Sequence, residues 1–276
     1  MGTGLRTARH ILALPLLLFV SGCVSPPPRV DVAAEERTAH DPHALMHIAD
    51  AAEASGDYGT AATFYRRTAS LYPADPAPFL GFARSLAEQN HTGEAVAVLE
   101  DALPHMNGAD TNRLRGVLSR LLIASHRPTE AVLVLRAALA QTPNMPGLLI
   151  GLGVALDASR DFTAAQASYR KALAIEPQSI AARNDLALSR ALDGDSKDAL
   201  EALQALRNRV VEDGGHAADL ATIDGNLALV HAMRGELRQA GEAGSGATET
   251  AGDLAGNMRF YSALLPARVA DPIPIN

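Results

Sequence analysis

Tryptophan is absent from the 276 residues, and the other aromatics, 5 Tyr and 6 Phe, make up only 4% of the chain. Flat ring platforms for stacking bases are therefore scarce. A single cysteine, Cys23, excludes both an internal disulfide and a Cys-rich metal site. Positive charge is in short supply as well. The 24 Lys and Arg stand against 31 Asp and Glu, and the net charge of −7 has the wrong sign for a nucleic-acid partner. What is present suits a folded protein: 47% hydrophobic and 20% charged residues can bury a sizeable core. The abundance of Ala and Leu, with few β-branched or aromatic runs, leans towards helix.

The first 22 residues read as an address. Arg6 and Arg9 precede the apolar run Ile11 to Val20, which ends in Ser21-Gly22-Cys23. A charged start, a short apolar stretch and small residues describe an export signal. The run falls short of the roughly twenty residues that span a bilayer. Residues 23–41, with Pro26, Pro27 and Pro28 near the start, read as an N-terminus and a stiff and then charged tether. Loss of Met1 to Gly22 removes two Arg and no acid, which takes the charge from −7 to −9. Such a body is repelled by anionic headgroups, so any membrane attachment has to come from a lipid.

The remainder repeats. Ala61, Ala95, Ala131, Ala165, Ala199 and Ala240 are spaced by 34, 36, 34, 34 and 41 residues, each followed four residues later by a larger side chain in the first five copies. The clearest copy is 146–179, with Leu149, Leu152, Gly153 and Leu156 on its first helix, then Ala165, Tyr169, Ala172 and Pro177. A period of 34 resembles the tetratricopeptide repeat, a helix-turn-helix unit. The expected fold is an all-α, right-handed solenoid of about six repeats, near 42–75, 76–109, 112–145, 146–179, 180–213 and 221–254. A capping helix follows, on the stripe Leu254, Met258, Tyr261 and Leu265, then a loose tail over 266–276. The extra residues are expected in loops around Gly108 to Thr111 and Gly214 to Ala218.

Register can be tested on size. The two helices of each unit should cross at small residues: Ala49/Ala61, Ala83/Ala95, Ser119/Ala131, Gly153/Ala165, Ala187/Ala199 and Ala228/Ala240. Turns between helices call for a positive φ, which Gly56, Gly194 and Gly235 supply easily, Asn90 at modest cost, and His126 and Arg160 poorly. Asp41-Pro42 and Asp75-Pro76 mark helix starts. Gly241, Gly244, Gly246 and Gly252 should shorten the last repeat's second helix, at about 1 kcal/mol each.

Little in the chain points to chemistry. His43 and His47, with His40 just before, share a helical face, but a solvated first helix explains them without a metal. There is no Gly-rich phosphate loop, no Gly-x-Ser-x-Gly elbow and no His-Glu-x-x-His motif. Asp193, Asp195 and Asp198 lack the later Glu of a calcium loop, and Glu35-Glu36 lies in the tether. Neither catalysis nor a cofactor is expected.

Three resemblances carry the functional reading. Val20-Ser21-Gly22-Cys23 resembles the lipobox of bacterial lipoproteins. It implies lipidation of Cys23 and, with Val24 rather than Asp next, anchoring to the periplasmic face of the outer membrane; an ordinary signal peptide with an incidental Cys is the alternative. In tetratricopeptide proteins positions 2, 5, 9 and 12 of each repeat face the inner groove. Carried onto this chain they give His43, Met46, Asp50 and Glu53, then Leu80, Arg84, Arg113, Arg120 and Ile123, then Ile150, Val154, Asp157, Asn184, Leu188 and Leu229. The apolar members could equally be packed between helices. The stretches Gly151-Leu-Gly-Val-Ala-Leu-Asp157, Ala164-Ala-Gln-Ala-Ser-Tyr-Arg-Lys-Ala172, Ala182-Arg-Asn-Asp-Leu-Ala-Leu188, Asn226-Leu-Ala-Leu229 and Leu254-Ala-Gly-Asn-Met-Arg-Phe-Tyr-Ser-Ala-Leu264 resemble the tight-adherence pilus lipoproteins of the TadD type. Departures are Arg160 and His126 at turns usually held by Gly, and the Gly-rich helix of repeat six. The resemblance implies a non-enzymatic assembly factor that binds protein components of the Flp/Tad secretion pilus, its secretin among the candidates. One rival is another outer-membrane tetratricopeptide lipoprotein, a type IV pilus pilotin or an envelope-hydrolase adaptor. The other, of a different class, is a periplasmic enzyme or metal carrier built on the histidines.

Overall fold

The computed structural model describes residues 41–247, and these form twelve α-helices with no strand among them. Cys23 and the tether, the expected capping helix and the tail lie outside the described residues. The helices come in six hairpins: α1 Pro42–Ala54 with α2 Tyr58–Leu71, α3 Pro76–Glu88 with α4 Thr92–Ala102, and α5 Gly108–Ala124 with α6 Pro128–Gln141. The last three are α7 Pro146–Ala158 with α8 Phe162–Ile175, α9 Ile180–Leu192 with α10 Ser196–Glu212, and α11 Ala217–Met233 with α12 Leu237–Ala247. No described helix is long and apolar enough to cross a membrane.

Local chemistry sets the hairpins. Carboxylates or a hydroxyl cap helix starts that would otherwise leave N–H groups unpaired: Asp41 accepts from His43 N, Asp75 from Ala77 N, Asp57 from Thr60 N, Asp161 from Ala164 N and Ser179 from Ala182 N. Every turn between partner helices closes the same way, by a backbone bond reaching five residues back. Asp57, His91, Arg127, Asp161, Asp195 and Glu236 donate to the carbonyls of Ala52, Leu86, Leu122, Leu156, Arg190 and His231. That geometry needs a left-handed residue just before each donor. Gly56, Asn90, His126, Arg160, Gly194 and Gly235 take it, with φ of 79°, 62°, 59°, 64°, 110° and 77°.

All twelve crossing residues are buried, ten of them alanines. Small side chains there let the paired axes approach closely, and larger neighbours fill in around them. One apolar core runs through repeats two to four around Leu99, Leu114, Leu118, Leu135 and Leu156. A second occupies repeats five and six around Leu203, Ile223, Leu227 and Val230. Each such side chain contributes about 1.5–3 kcal/mol by leaving water.

The extra residues do not form loops. Where the spacing grows to 36, α5 starts early, at Gly108, and runs 17 residues, after a connection of residues 103–107 that opens with the 3-10 turn Leu103–His105. Where it grows to 41, α10 and α11 each run 17 residues, against 14 for α8 and 13 for α7, which absorbs all seven. Helix wins because the added residues can hydrogen-bond their own backbone and bury a face, which a loop cannot. Asp110 and Asp219, in the first turns, complement the helix dipole. Thr111 and Asn112 are buried, and the Asn112 amide donates to Thr142 Oγ1 at 3.1 Å.

Odd-numbered helices meet the next odd helix along the whole series. Even helices pack against the odd ones on either side and make no comparable contact with each other among the described residues. The odd row is therefore the short, inner side of the curve, and the even row the outer side.

Candidate functional site

The inner row presents three different surfaces. At its N-terminal end Asp50 and Glu53 of α1 both accept from the Tyr65 hydroxyl of α2, at 2.6 and 2.8 Å. Arg84 of α3 forms an ion pair with the same Glu53. Glu53 is only 17% exposed while Arg84 is 55% exposed. The guanidinium hydrogen bond holds the Glu53 carboxyl below its usual range, against the opposing effect of burial. Burial, then the two carboxylates, push the Tyr65 hydroxyl well up, so it stays a donor. Arg84, expected as a recognition residue, is thus engaged inside the fold, tying repeat two to repeat one.

The centre is different. Arg113 and Arg120 lie on α5, where Arg113 is 61% exposed and reaches Asp110 at 3.8 Å, an i,i+3 pair open to solvent. Arg120 is exposed and has no ion-pair partner among the described residues. Ile123 and Ile150 are half-buried against the core, while Val154 on α7 is 37% exposed. Two cations beside an aliphatic surface can hold a segment with acidic and apolar residues.

Beyond Val154 the row closes. Asp157 accepts from Tyr169 Oη at 2.9 Å and from Ser189 Oγ at 2.6 Å, which joins α7, α8 and α9. Burial raises the Asp157 carboxyl to about 6, partly offset by the Ser189 and Tyr169 hydrogen bonds. Asp185 is likewise raised to about 6, by burial first and by the nearby Asp157 charge in addition. Asn184, placed in the groove by its repeat position, is only 2% exposed. Its amide donates to Asp185 Oδ1 at 3.2 Å, and its buried carbonyl oxygen has no partner. The structure takes Asn184 out of reach of any partner, because it is buried among the packed helices. Leu188 packs half-buried against the second core. Of the nine groove positions from Arg84 to Leu188 that were expected to meet a partner, Arg84, Arg113, Arg120 and Val154 are exposed.

Repeat positions alone do not reveal the tyrosine–carboxylate links. A signal for them exists nonetheless: Glu53 to Tyr65 and Asp157 to Tyr169 share a spacing of twelve residues in two separate repeats. Among the described residues no three His, Cys, Asp or Glu gather into a group that could hold a metal ion.

Comparison with known proteins bears on the fold. The tetratricopeptide repeat family model matches residues 32–76, 80–146 and 150–217, well over half of the chain. A search of curated proteins finds no match. Among solved structures, the chain is similar to MamA from Desulfovibrio magneticus, taken from its residue 41 to its end. The identity is 19% and the TM-score 0.52, over 62% of this chain and 96% of that one. It is also similar to the C-terminal part of a TPR repeat-containing protein from Cytophaga hutchinsonii. There the identity is 17% and the TM-score 0.52, over 82% of this chain and 91% of that one. Likeness at such identities concerns architecture, and it is the same architecture that the hairpins, the small crossings and the left-handed turns build from within. The chain belongs to the tetratricopeptide repeat family.

Proposed function

We propose that the protein is a non-enzymatic, lipid-anchored assembly factor of a Flp/Tad secretion pilus, attached through Cys23 to the periplasmic face of the outer membrane. It binds a protein component of that machine, with the secretin as first candidate, along the inner row of its repeats. The tetratricopeptide fold supports the general part of the reading, because such scaffolds serve protein–protein interaction. The specific part rests on the lipobox Val20 to Cys23 and on the TadD-like stretches in repeats four to six. One structural observation supports the site: Arg113 and Arg120 on α5 and Val154 on α7 remain exposed, whereas Arg84, Asp157 and Asn184 are engaged within the fold.

An acidic and apolar segment of the partner lies along α5 and α7, with its carboxylates on the two arginines. Each shielded charge-assisted contact contributes about 1.5–3 kcal/mol, and less where salt screens it. The test is Arg113→Glu with Arg120→Glu. The double variant should fold normally, lose capture of the secretin in pull-downs and reduce pili per cell. Normal capture and normal piliation would remove this surface from the mechanism.

A further inference from the structure

Repeat five departs from repeat four at one seam. On the first helix of the other repeats, the positions equivalent to Arg183 are Leu45, Phe79, Arg115, Leu149 and Asp224, and those equivalent to Arg190 are Ala52, Leu86, Leu122, Leu156 and His231. Leu45 and Leu149 are buried at 2% and 5% exposure, filling space beside the helices of their own repeats. Arg183 cannot fill it in the same way. Its guanidinium is drawn aside to the Pro177 carbonyl, at 2.9 and 2.7 Å, and to Gln178 Oε1 at 3.2 Å. Beside it lies a cavity of about 240 Å³ between α9 and α10. Its floor is Leu186, Ala187 and Leu206, and its rim carries Arg183, Arg190 and Arg209.

Two of the rim charges are uncommitted. Arg190 is half-buried and Arg209 exposed, and neither has an ion-pair partner among the described residues. Position by position, Arg209 replaces Leu71, His105, Gln141 and Ile175 of repeats one to four. A chain of net charge −7 has therefore gathered three arginines round an apolar floor, against its overall balance. The cavity is smaller than the ~300–1,000 Å³ of small-molecule sites, which favours a side chain of a polypeptide over a cofactor. Arg183, Ala187 and Arg190 lie on a different stripe of α9 from Asn184 and Leu188, so this site is separate from the inner row.

We infer that this cavity is a second protein-docking site, which takes an acidic segment of a partner with one aliphatic side chain inserted between α9 and α10. The aliphatic group covers Leu186 and Leu206, and flanking carboxylates meet Arg190 and Arg209. The inference does not depend on the pilus reading, since it needs only a partner of that chemistry.

Fluorescence anisotropy on the purified full chain tests it, using a labelled peptide that alternates Glu with Leu. The peptide should bind, and Arg190→Gln with Arg209→Gln should weaken it about tenfold or more, with the helical circular dichroism unchanged. Lys171→Gln, on the outer face of α8, should leave the affinity as it was. Three results would each overturn the inference: no binding of the peptide, equal binding by the double variant, or equal binding of an all-Glu peptide that has no group for the floor. Arginine-dependent binding to phosphatidylglycerol vesicles without peptide binding would also overturn it, in favour of a lipid headgroup.

Discussion

Replacing Gly153 by Ala adds one methyl group to α7 at a place with no room for it. A Cβ there would stand 2.4, 2.5 and 2.8 Å from Cε1, Cζ and Cδ1 of Tyr169. The ring is 1% exposed, and its hydroxyl is fixed to Asp157 at 2.9 Å, so it cannot retreat without loosening that bond. Overpacking of this kind costs about 1–3 kcal/mol, and weakening a hydrogen bond to a charged group adds about 1.5 kcal/mol. Ala is the better helix former by about 1 kcal/mol, which offsets part of the loss. The expected net destabilisation is about 1.5–3.5 kcal/mol. Gly147→Ala is the control on the same helix, because a Cβ there meets nothing within 4 Å. Urea unfolding followed by circular dichroism should separate the two variants clearly. Equal stability would refute the packing argument for repeat four.

Three further outcomes are expected. Arg160→Gly should stabilise by about 0.5–1 kcal/mol, since a left-handed non-glycine residue costs ~1–2 kcal/mol and the greater freedom of unfolded Gly returns part of that; an unchanged urea midpoint would contradict it. Asp185 holds its proton up to about 6 in the folded state, against 3.8 for an unperturbed Asp, so its contribution to stability is greatest below about pH 4 and is lost as the pH rises to about 6. Asp185→Asn should therefore gain on the native protein across that window in thermal melts, and a constant gap would show that the carboxyl is not raised. Cys23→Ser should abolish labelling by palmitate and release the protein from outer-membrane fractions, whereas continued flotation with those membranes would sink the lipoprotein reading.

The repeat architecture was legible because it depends on size and backbone angle, both of which recur with the period. Ala61, Ala95 and Ala131 announce the crossings, and Gly56, Gly194 and Gly235 announce the turns. His126 and Arg160 look wrong for a left-handed turn, yet they adopt it, because the bonds closing each hairpin outweigh a local preference. The lengthened α5, α10 and α11 were not legible, since spacing counts residues without saying whether they coil or loop. Side-chain capture was hidden for a different reason. Whether Arg84 is free depends on Glu53, 31 residues away, and whether Asn184 is reachable depends on how the helices around it pack. A position within a repeat assigns a face, but only the neighbouring repeat decides what that face leaves open.

The central claim, that exposed inner-row residues of α5 contact the pilus machine, is tested most directly by site-specific photo-crosslinking in piliated cells. A photoreactive amino acid at position 120 should give an adduct containing the secretin, while the same group at position 171, on the outer face of α8, should not. Secretin adducts from position 171 and none from position 120 would contradict the account.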